Sequence, residues 1–551
     1  MSENAKTFVG TMFGPKTCFG QTENGAKTYL STGSKLVDQF GLAGNYRGRE
    51  IDDVFKEQAE IWEENAAAAL RFPFYLRMVT RKTKIDTNKK TENVQNGQGA
   101  RDESFKRFLW IAANSPESFY KNLWLLPIIG SWKDFWTLMF YDVKLKTNIF
   151  NDENRKKIYG LMFSALEHEL HVDLVKKFMP RIKSSSKCTT EWTNVTNRLA
   201  KEFANYMGLK YSEYNKLKAN GKAHDFQKLI CAGRYNEINW DHIPGRALSI
   251  LVGGKFLDNH NLRENYEDWL NEKPVAKFTG YVYELLRKYR NTPKSNKTLK
   301  RTVDKQFQGL VEQARKDGKI TDNVLCALDT SGSMSANVSG LKGVTCSDIA
   351  TSLALFFAEL NQGAFHKKVM MFDNVSRAYS LPSDSFTDNV ESLPRVPCGG
   401  TNFQSVIDEM INIRKRNPNI PLDEYPTTIL AVSDMHFNPT KTYSMSIPDR
   451  GQVKTNMEEA KAKLKSVFPA DYVDNITFIW WNCASRGRTF EGTKEDLGAL
   501  YFSGFDGSII SMLMGEEAKV VDERTGEKRT ISPEEMVIKA LSQEILNYID
   551  V

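Results

Sequence analysis

From Ile51 to Leu310 the apolar residues recur every three or four positions, the period of an amphipathic helix. The segment FKEQAEIWEENAAAALRFPFYLRMV predicts one long helix dented at Pro73, where the ring removes a donor and crowds the preceding turn. ESFKRFLWIAANSPESFYKNLWLLP predicts two helices. Ser115 caps the second, and Pro116 takes its first position, where a missing N–H costs nothing. Further helical stretches follow in NRKKIYGLMFSALEHELHVDLVKKFMP, TNVTNRLAKEFANYMGL and YEDWLNEKPVAKFTGYVYELLRKYR. Successive antiparallel pairs of this kind imply a helical-repeat, solenoid-like module, irregular because no fixed sequence period is visible. Two polar, basic stretches interrupt it: Thr80 to Ser104 predicts a mobile loop, and Asn291 to Lys305 a linker.

The texture changes at Asn323. Short apolar runs (NVLCAL, KKVMMF, TTILAVS, NITFIWWNC) now alternate with amphipathic segments (SDIATSLALFFAEL, NFQSVIDEMINIRKR, MEEAKAKLKSVF). Strands alternating with helices predict a parallel sheet covered on both faces. In such sheets the working site lies at the carboxyl ends of the strands.

At 551 residues the chain exceeds one ordinary core, so two or more domains are expected. No run of about 18 apolar residues predicts a membrane span, and MSENAKTFVG holds no apolar segment of signal-peptide length. Seven cysteines without a Cys-x-x-Cys pair argue against a disulfide framework or a zinc ribbon. A reduced, intracellular, cytoplasmic protein follows. Charge divides unevenly: residues 321–551 hold 22 Lys and Arg against 31 Asp and Glu, leaving 53 against 37 for residues 1–320. A polyanion is therefore expected on the N-terminal part, with net +16, rather than on the C-terminal part, with net −9.

Three polar pieces punctuate the predicted strand ends. Asp329, Ser331 and Ser333 follow NVLCAL, Thr401 follows Gly399-Gly400 and opens a helix near Phe403, and Asp434 ends TTILAVSD. Taken singly, each reads as a turn or helix cap. Together they place two carboxylates and three hydroxyls on one sheet edge, a set that suits a hard cation, Mg²⁺ or Mn²⁺. The order Asp-x-Ser-x-Ser, Gly-Gly-Thr, Ser-Asp resembles the metal-ion-dependent adhesion site of von Willebrand factor A domains. That resemblance implies that Asp329, Ser331, Ser333, Thr401 and Asp434 are the metal ligands, the serines directly and one or both of Thr401 and Asp434 directly or through water. It also implies one open coordination position for a partner's carboxylate. YFSGFDGSIISMLM looks like that family's last strand and helix.

Upstream, TENGAKTYLSTGSKLVDQFG, GQGARDESFKRFLWIA, LPIIGSWKDFWTLM and YNEINWDHIPGRAL occur in that order and resemble the TROVE module of Ro autoantigen-like proteins. One departure is QNGQGARDE, which stands where an Arg-Gly-Gly-x-Gly-Glu-Arg type segment is usual. The resemblance implies an α-helical, HEAT-like, ring-shaped repeat domain over residues 1–318. It implies an α/β Rossmann-like von Willebrand A domain with a mostly parallel sheet over 319–551. It further implies an RNA-binding, non-enzymatic protein that takes single-stranded ends or small structured RNA, acting in RNA handling or within a ribonucleoprotein. Candidate RNA-binding cations are Lys176, Lys177, Arg181, Lys183 and Lys187 in one cluster and Arg287, Lys288 and Arg290 in another, where Tyr283 and Tyr289 stand ready to stack on bases. Enzyme chemistry finds little footing. His168 and His171 lack zincin spacing, His436 reads as exposed or as a neighbour of the metal ligands, and no Walker loop, Gly-x-Ser-x-Gly elbow or Cys/His nucleophile pair occurs. A second reading has the metal site capture an acidic protein partner on a structural helical scaffold, as in a virus-encoded, virion-associated assembly component with no RNA role.

Overall fold

The computed structural model describes residues 19–46, 48–79, 81–83, 93–167, 172–221, 225–316, 322–338, 341, 343–394, 399–440, 454–484, 489–504, 519–521, 526 and 528–551. His168 and His171 lie outside them, as do residues 505–514 of YFSGFDGSIISMLM, where the last helix was expected. A helix-rich N-terminal part is followed by a mostly parallel six-stranded sheet, as the periodicity predicts. No helix among the described residues is long and apolar enough to cross a membrane. Contacts divide the chain into two compact units, residues 1–46 with 239–538, and residues 47–238 with 539–551. This division does not follow the 318/319 boundary read from the sequence, because residues 239–316 and the N-terminal segment pack with the sheet.

The helical unit spans 47–238. Its first expected helix is two helices, Ile51–Glu64 and Ala66–Arg77, broken at Asn65, whose side chain accepts from Ala68 N at 3.0 Å. Pro73 sits inside the second helix without a break. Its ring leaves the Ala69 carbonyl without its usual donor, and the buried Gln58 amide supplies one at 3.0 Å. Ser115 and Pro116 open the Pro116–Asn122 helix at the expected positions, but the Ser115 hydroxyl donates to Ser118 Oγ at 3.0 Å and caps no backbone N–H. The stretch expected to be a mobile loop is ordered at its end: Asn96 and Gln98 are buried, a Cβ on Gly97 would meet Tyr75 O at 2.4 Å, and a helix runs from Arg101 to Asn114. Close backbone approach, which only glycine permits there, overrides the polar composition. Residues 539–551 close this unit, with Asp550 N donating to Asn122 at 2.8 Å and Gln543 exchanging bonds with Asn96.

In the other unit the sheet is built from β1 (Val324–Asp329), β2 (Lys368–Phe372), β3 (Ser376–Ser380), β4 (Thr428–Ser433), β5 (Thr477–Asn482) and β6 (Ala499–Ser503). Its order is β6-β5-β4-β1-β2-β3, parallel except for the antiparallel edge strand β3. β1, β4 and β5 are buried at every position, which explains their unbroken apolar runs. The exposed, polar SRAYS of β3 carried no such signal. Helices Cys346–Leu360, Gln404–Arg416 and Asn456–Leu464 join the strands.

The expected linker at 291–305 is instead the start of a 20-residue helix, Lys297–Lys316. Thr298, Leu299, Thr302 and Val303 are buried in it, Phe307 stacks on Phe386 at 4.3 Å, and Asp304 accepts from Thr387 N at 2.8 Å. Apolar residues at helical spacing outweighed the basic composition. The N-terminal segment joins the same unit through a hairpin of Phe19–Gln21 with Lys27–Tyr29 and a helix at Lys35–Leu42. Tyr29 bridges to Phe490, and Asn45 bonds Asn482 O, Ala484 O at 2.8 Å and Gly504 N at 2.9 Å, past the ends of β5 and β6.

Candidate metal centre

The register that pairs Leu328 with Val432 sets Asp329 level with Ser433, so Asp329 and Asp434 leave neighbouring central strands at one edge. Asp329 is 1% exposed. One carboxylate oxygen accepts from Ser331 N at 2.8 Å and the other from Ser433 Oγ at 2.6 Å. The Ser331 and Ser333 hydroxyls lie 3.1 Å apart in the short 3₁₀ turn that follows. Both serine oxygens and the Asp329 carboxylate thus come from five consecutive residues.

Thr401 arrives from the other side. Its backbone exchanges bonds with Asn438, N to Oδ1 at 3.4 Å and O from N at 2.8 Å. Gly400 N donates to Asn374 Oδ1 at 2.9 Å and Asn402 Nδ2 to Asn374 O at 3.0 Å. A Cβ on Gly400 would meet Asn374 Oδ1 and Asn438 Nδ2, each at 2.8 Å, which is why glycine precedes the threonine. Asn374 and Asn438 are positioning residues that motif reading passed over, and Ser433, quoted only as the Ser of Ser-Asp, is a third. The only sequence signal of the two asparagines was a position a few residues past a strand end.

After Asp434 the chain turns through Met435 at φ 67°, a left-handed conformation that costs an unbranched L-residue about 1 kcal/mol. Ser433 Oγ takes the Met435 N–H at 3.1 Å and the Asp434 carboxylate the His436 N–H at 3.4 Å, so the turn is paid for locally by the site's own side chains. His436 is buried, 9% exposed, with Nδ1 3.9 Å from Glu23. The N-terminal hairpin grips this same turn: Thr22 Oγ1 donates to Phe437 O at 2.6 Å and Asn24 Nδ2 to His436 O.

Burial is the dominant electrostatic fact. It pushes the Asp329 carboxyl up to about 6, and the Asp434 charge adds to the rise against the two hydrogen bonds that oppose it. No Lys or Arg pairs with either carboxylate among the described residues. Burial likewise pushes the Cys346 thiol up to about 12, with Asp434 and Asp329 contributing. No group of three or more His, Cys, Asp or Glu among the described residues is arranged to hold a metal. A cation here must therefore lean on hydroxyls, and the set of two carboxylates and three hydroxyls has the hard-oxygen chemistry of a Mg²⁺ or Mn²⁺ site.

The two expected RNA clusters have different fates. Arg287 and Arg290 both bind Asp348, at 3.1 and 2.6 Å, and Lys288 is half-buried, its pKa lowered by desolvation. Tyr283 is buried at 8% exposure, and Tyr289 donates to Glu391. Lys176 and Lys177 are partly exposed and Arg181, Lys183 and Lys187 exposed on the helical unit.

A six-stranded α/β unit with an oxygen-rich carboxyl edge is thus the class that fold and site define. Residues 323–545 match the model of a family described as "Domain of unknown function (DUF7788)". The chain is also similar to "Uncharacterized protein L728" of Acanthamoeba polyphaga mimivirus, 20% identical over 561 residues, covering 96% of this chain and 88% of that protein. No solved structure matches the chain.

Proposed function

We propose that the chain is a non-enzymatic RNA-binding protein of the Ro type with a cation-dependent adhesion site. In this reading the α/β unit is a von Willebrand A domain that holds one Mg²⁺ or Mn²⁺ through Asp329, Ser331, Ser333, Thr401 and Asp434. The ion's open position takes an Asp or Glu of a protein partner, and the helical unit is a TROVE-like, HEAT-like module that carries RNA. The observation that supports the cation half is the pair of buried carboxylates, Asp329 and Asp434, set beside two hydroxyls with no described cationic side chain paired to either. Calorimetric titration of the full chain with Mn²⁺ tests it. Asp329→Ala abolishes the binding heat; full affinity in that variant sinks the assignment.

The RNA half is supported by charge. Residues 47–238 with 539–551 hold 34 Lys and Arg against 26 Asp and Glu, while the sheet unit is close to neutral. RNA binding should fall steeply with salt and survive chelation, whereas capture of a protein carboxylate should vanish with chelator. The second reading, a metal-dependent scaffold with no RNA role, is favoured by the engagement of Arg287 and Arg290 within the fold. The similar mimivirus protein suits a virus-encoded setting for either reading, cytoplasmic or virion-associated.

A further inference from the structure

Resting on the RNA half of that reading, we infer that single-stranded RNA binds the helical unit along one lane, with bases on Tyr206 and Tyr211 and phosphates on the ledge formed by residues 180–187. The helices Glu191–Tyr206 and Tyr211–Ala219 meet at a tight turn through Gly208, at φ 67°. Tyr206 is 41% exposed and Tyr211 43%, and the turn leaves Tyr211, with Asn205, Leu209 and Lys210, lining a shallow hollow of about 500 Å³. Nothing lies within 4 Å of where a Gly208 Cβ would stand, so the hollow is open. Tyr206 is backed by other rings, Tyr159 at 5.9 Å and Phe163 at 6.3 Å, and Lys201 Nζ sits 5.9 Å from the Tyr211 ring. Ring faces at a cationic hollow suit a planar base.

The same helix leads to the phosphate ledge. Tyr211, Asn215 and Lys218 share one face by i, i+4, i+7 spacing. Asn215 clamps Ile182 through both amide groups, at 3.0 and 2.9 Å, and Asn197 clamps Lys183 at 2.8 and 3.3 Å. Tyr214 Oη adds a bond to Pro180 O at 3.0 Å, and Lys218 Nζ one to Lys177 O at 3.3 Å. A loop of Lys and Ser is thereby held rigid with Arg181, Lys183 and Lys187 turned outward.

Two facts select this cluster over the other. Arg287 and Arg290 are held by one carboxylate, Asp348, but Arg181, Lys183 and Lys187 make no ion pair among the described residues. Arg181 also lowers the Lys218 pKa after desolvation, so positive charge accumulates here. From Tyr211 to Lys218 is about 10 Å along the helix, so ring and cation lie within reach of neighbouring nucleotides of one strand. An acidic peptide would use the cations but leave the rings idle, so the rings point to a nucleic acid.

Fluorescence anisotropy of the full chain with labelled oligouridine, single-stranded and annealed to its complement, tests the lane. The single strand binds more tightly than the duplex. Tyr206→Ala with Tyr211→Ala weakens it about tenfold or more, while Tyr211→Phe keeps the affinity. Lys183→Ala with Lys187→Ala lowers the slope of log K against log salt by about 1.4. Wild-type binding that the tyrosine pair leaves unchanged, or equal affinity for the duplex, overturns the lane. Absence of any wild-type binding at low salt removes the RNA reading itself. Should the tyrosine pair melt early, the lysine pair and Tyr211→Leu decide by the same criteria.

Discussion

Asn45 is the sharpest test of whether the N-terminal segment belongs to the sheet. It is 2% exposed. Its amide nitrogen donates to Asn482 O and to Ala484 O at 2.8 Å, and its oxygen accepts from Gly504 N at 2.9 Å. Asn45→Ala strips three buried backbone groups of their partner. Each unsatisfied group costs about 1–3 kcal/mol, so the loss is about 3 kcal/mol at the least and about 9 if water reaches none of them. That is a large share of the about 5–15 kcal/mol that holds a domain together. Asn45→Asp keeps the acceptor for Gly504 but aims a carboxylate at two carbonyl oxygens, and should cost more than alanine. Urea unfolding, followed by the fluorescence of Trp480 and Trp481 on β5, reads both. An alanine variant within 1 kcal/mol of wild type, or an aspartate variant milder than alanine, refutes the claim that residues 19–46 are structural members of the α/β unit.

Two further outcomes follow from the same geometry. Thr22→Val with Asn24→Ala releases the carbonyls of Phe437 and His436, so it should lower the thermal midpoint in chelator and, measured well below that midpoint, weaken Mn²⁺ binding several-fold; unchanged affinity removes the hairpin from the site's support. Glu491 is fully buried, accepts from Asn456 N at 2.8 Å, and is pushed by desolvation from 4.5 up to about 8. A raised carboxyl disfavours its charged form in the fold, so stability is full below about pH 4.5 and falls as pH rises toward 8. The shift corresponds to at most about 5 kcal/mol at 1.36 kcal/mol per unit. Glu491→Gln should flatten that decline in urea titrations at pH 5 and pH 8; an undiminished slope contradicts it.

Helices and central strands were legible because burial imposes a period. The site was legible as a set of oxygen-bearing residues because strand ends are where a parallel sheet exposes its chain. Less visible were the residues that aim those oxygens. Asn374, Ser433 and Asn438 act through side-chain hydrogen bonds to distant segments that sequence spacing does not encode, and the exposed strand β3 has no apolar run. The basic stretch at 291–305 misled because Lys300 and Lys294 are answered by Asp388 and Glu391, carboxylates far along the chain.

The sequence by itself determined a helix-rich N-terminal part, an alternating α/β C-terminal part, and the order of two carboxylates and three hydroxyls at strand ends. Each follows from local chemistry: side-chain period, turn preference, donor type. Only the tertiary structure decided which parts pack together, so that residues 19–46 and 239–316 complete the sheet unit. It alone decided which cations stay uncompensated, leaving Arg181, Lys183 and Lys187 exposed while Arg287 and Arg290 are paired. Those outcomes depend on contacts between residues tens to hundreds of positions apart, and a local pattern carries no record of its distant partner.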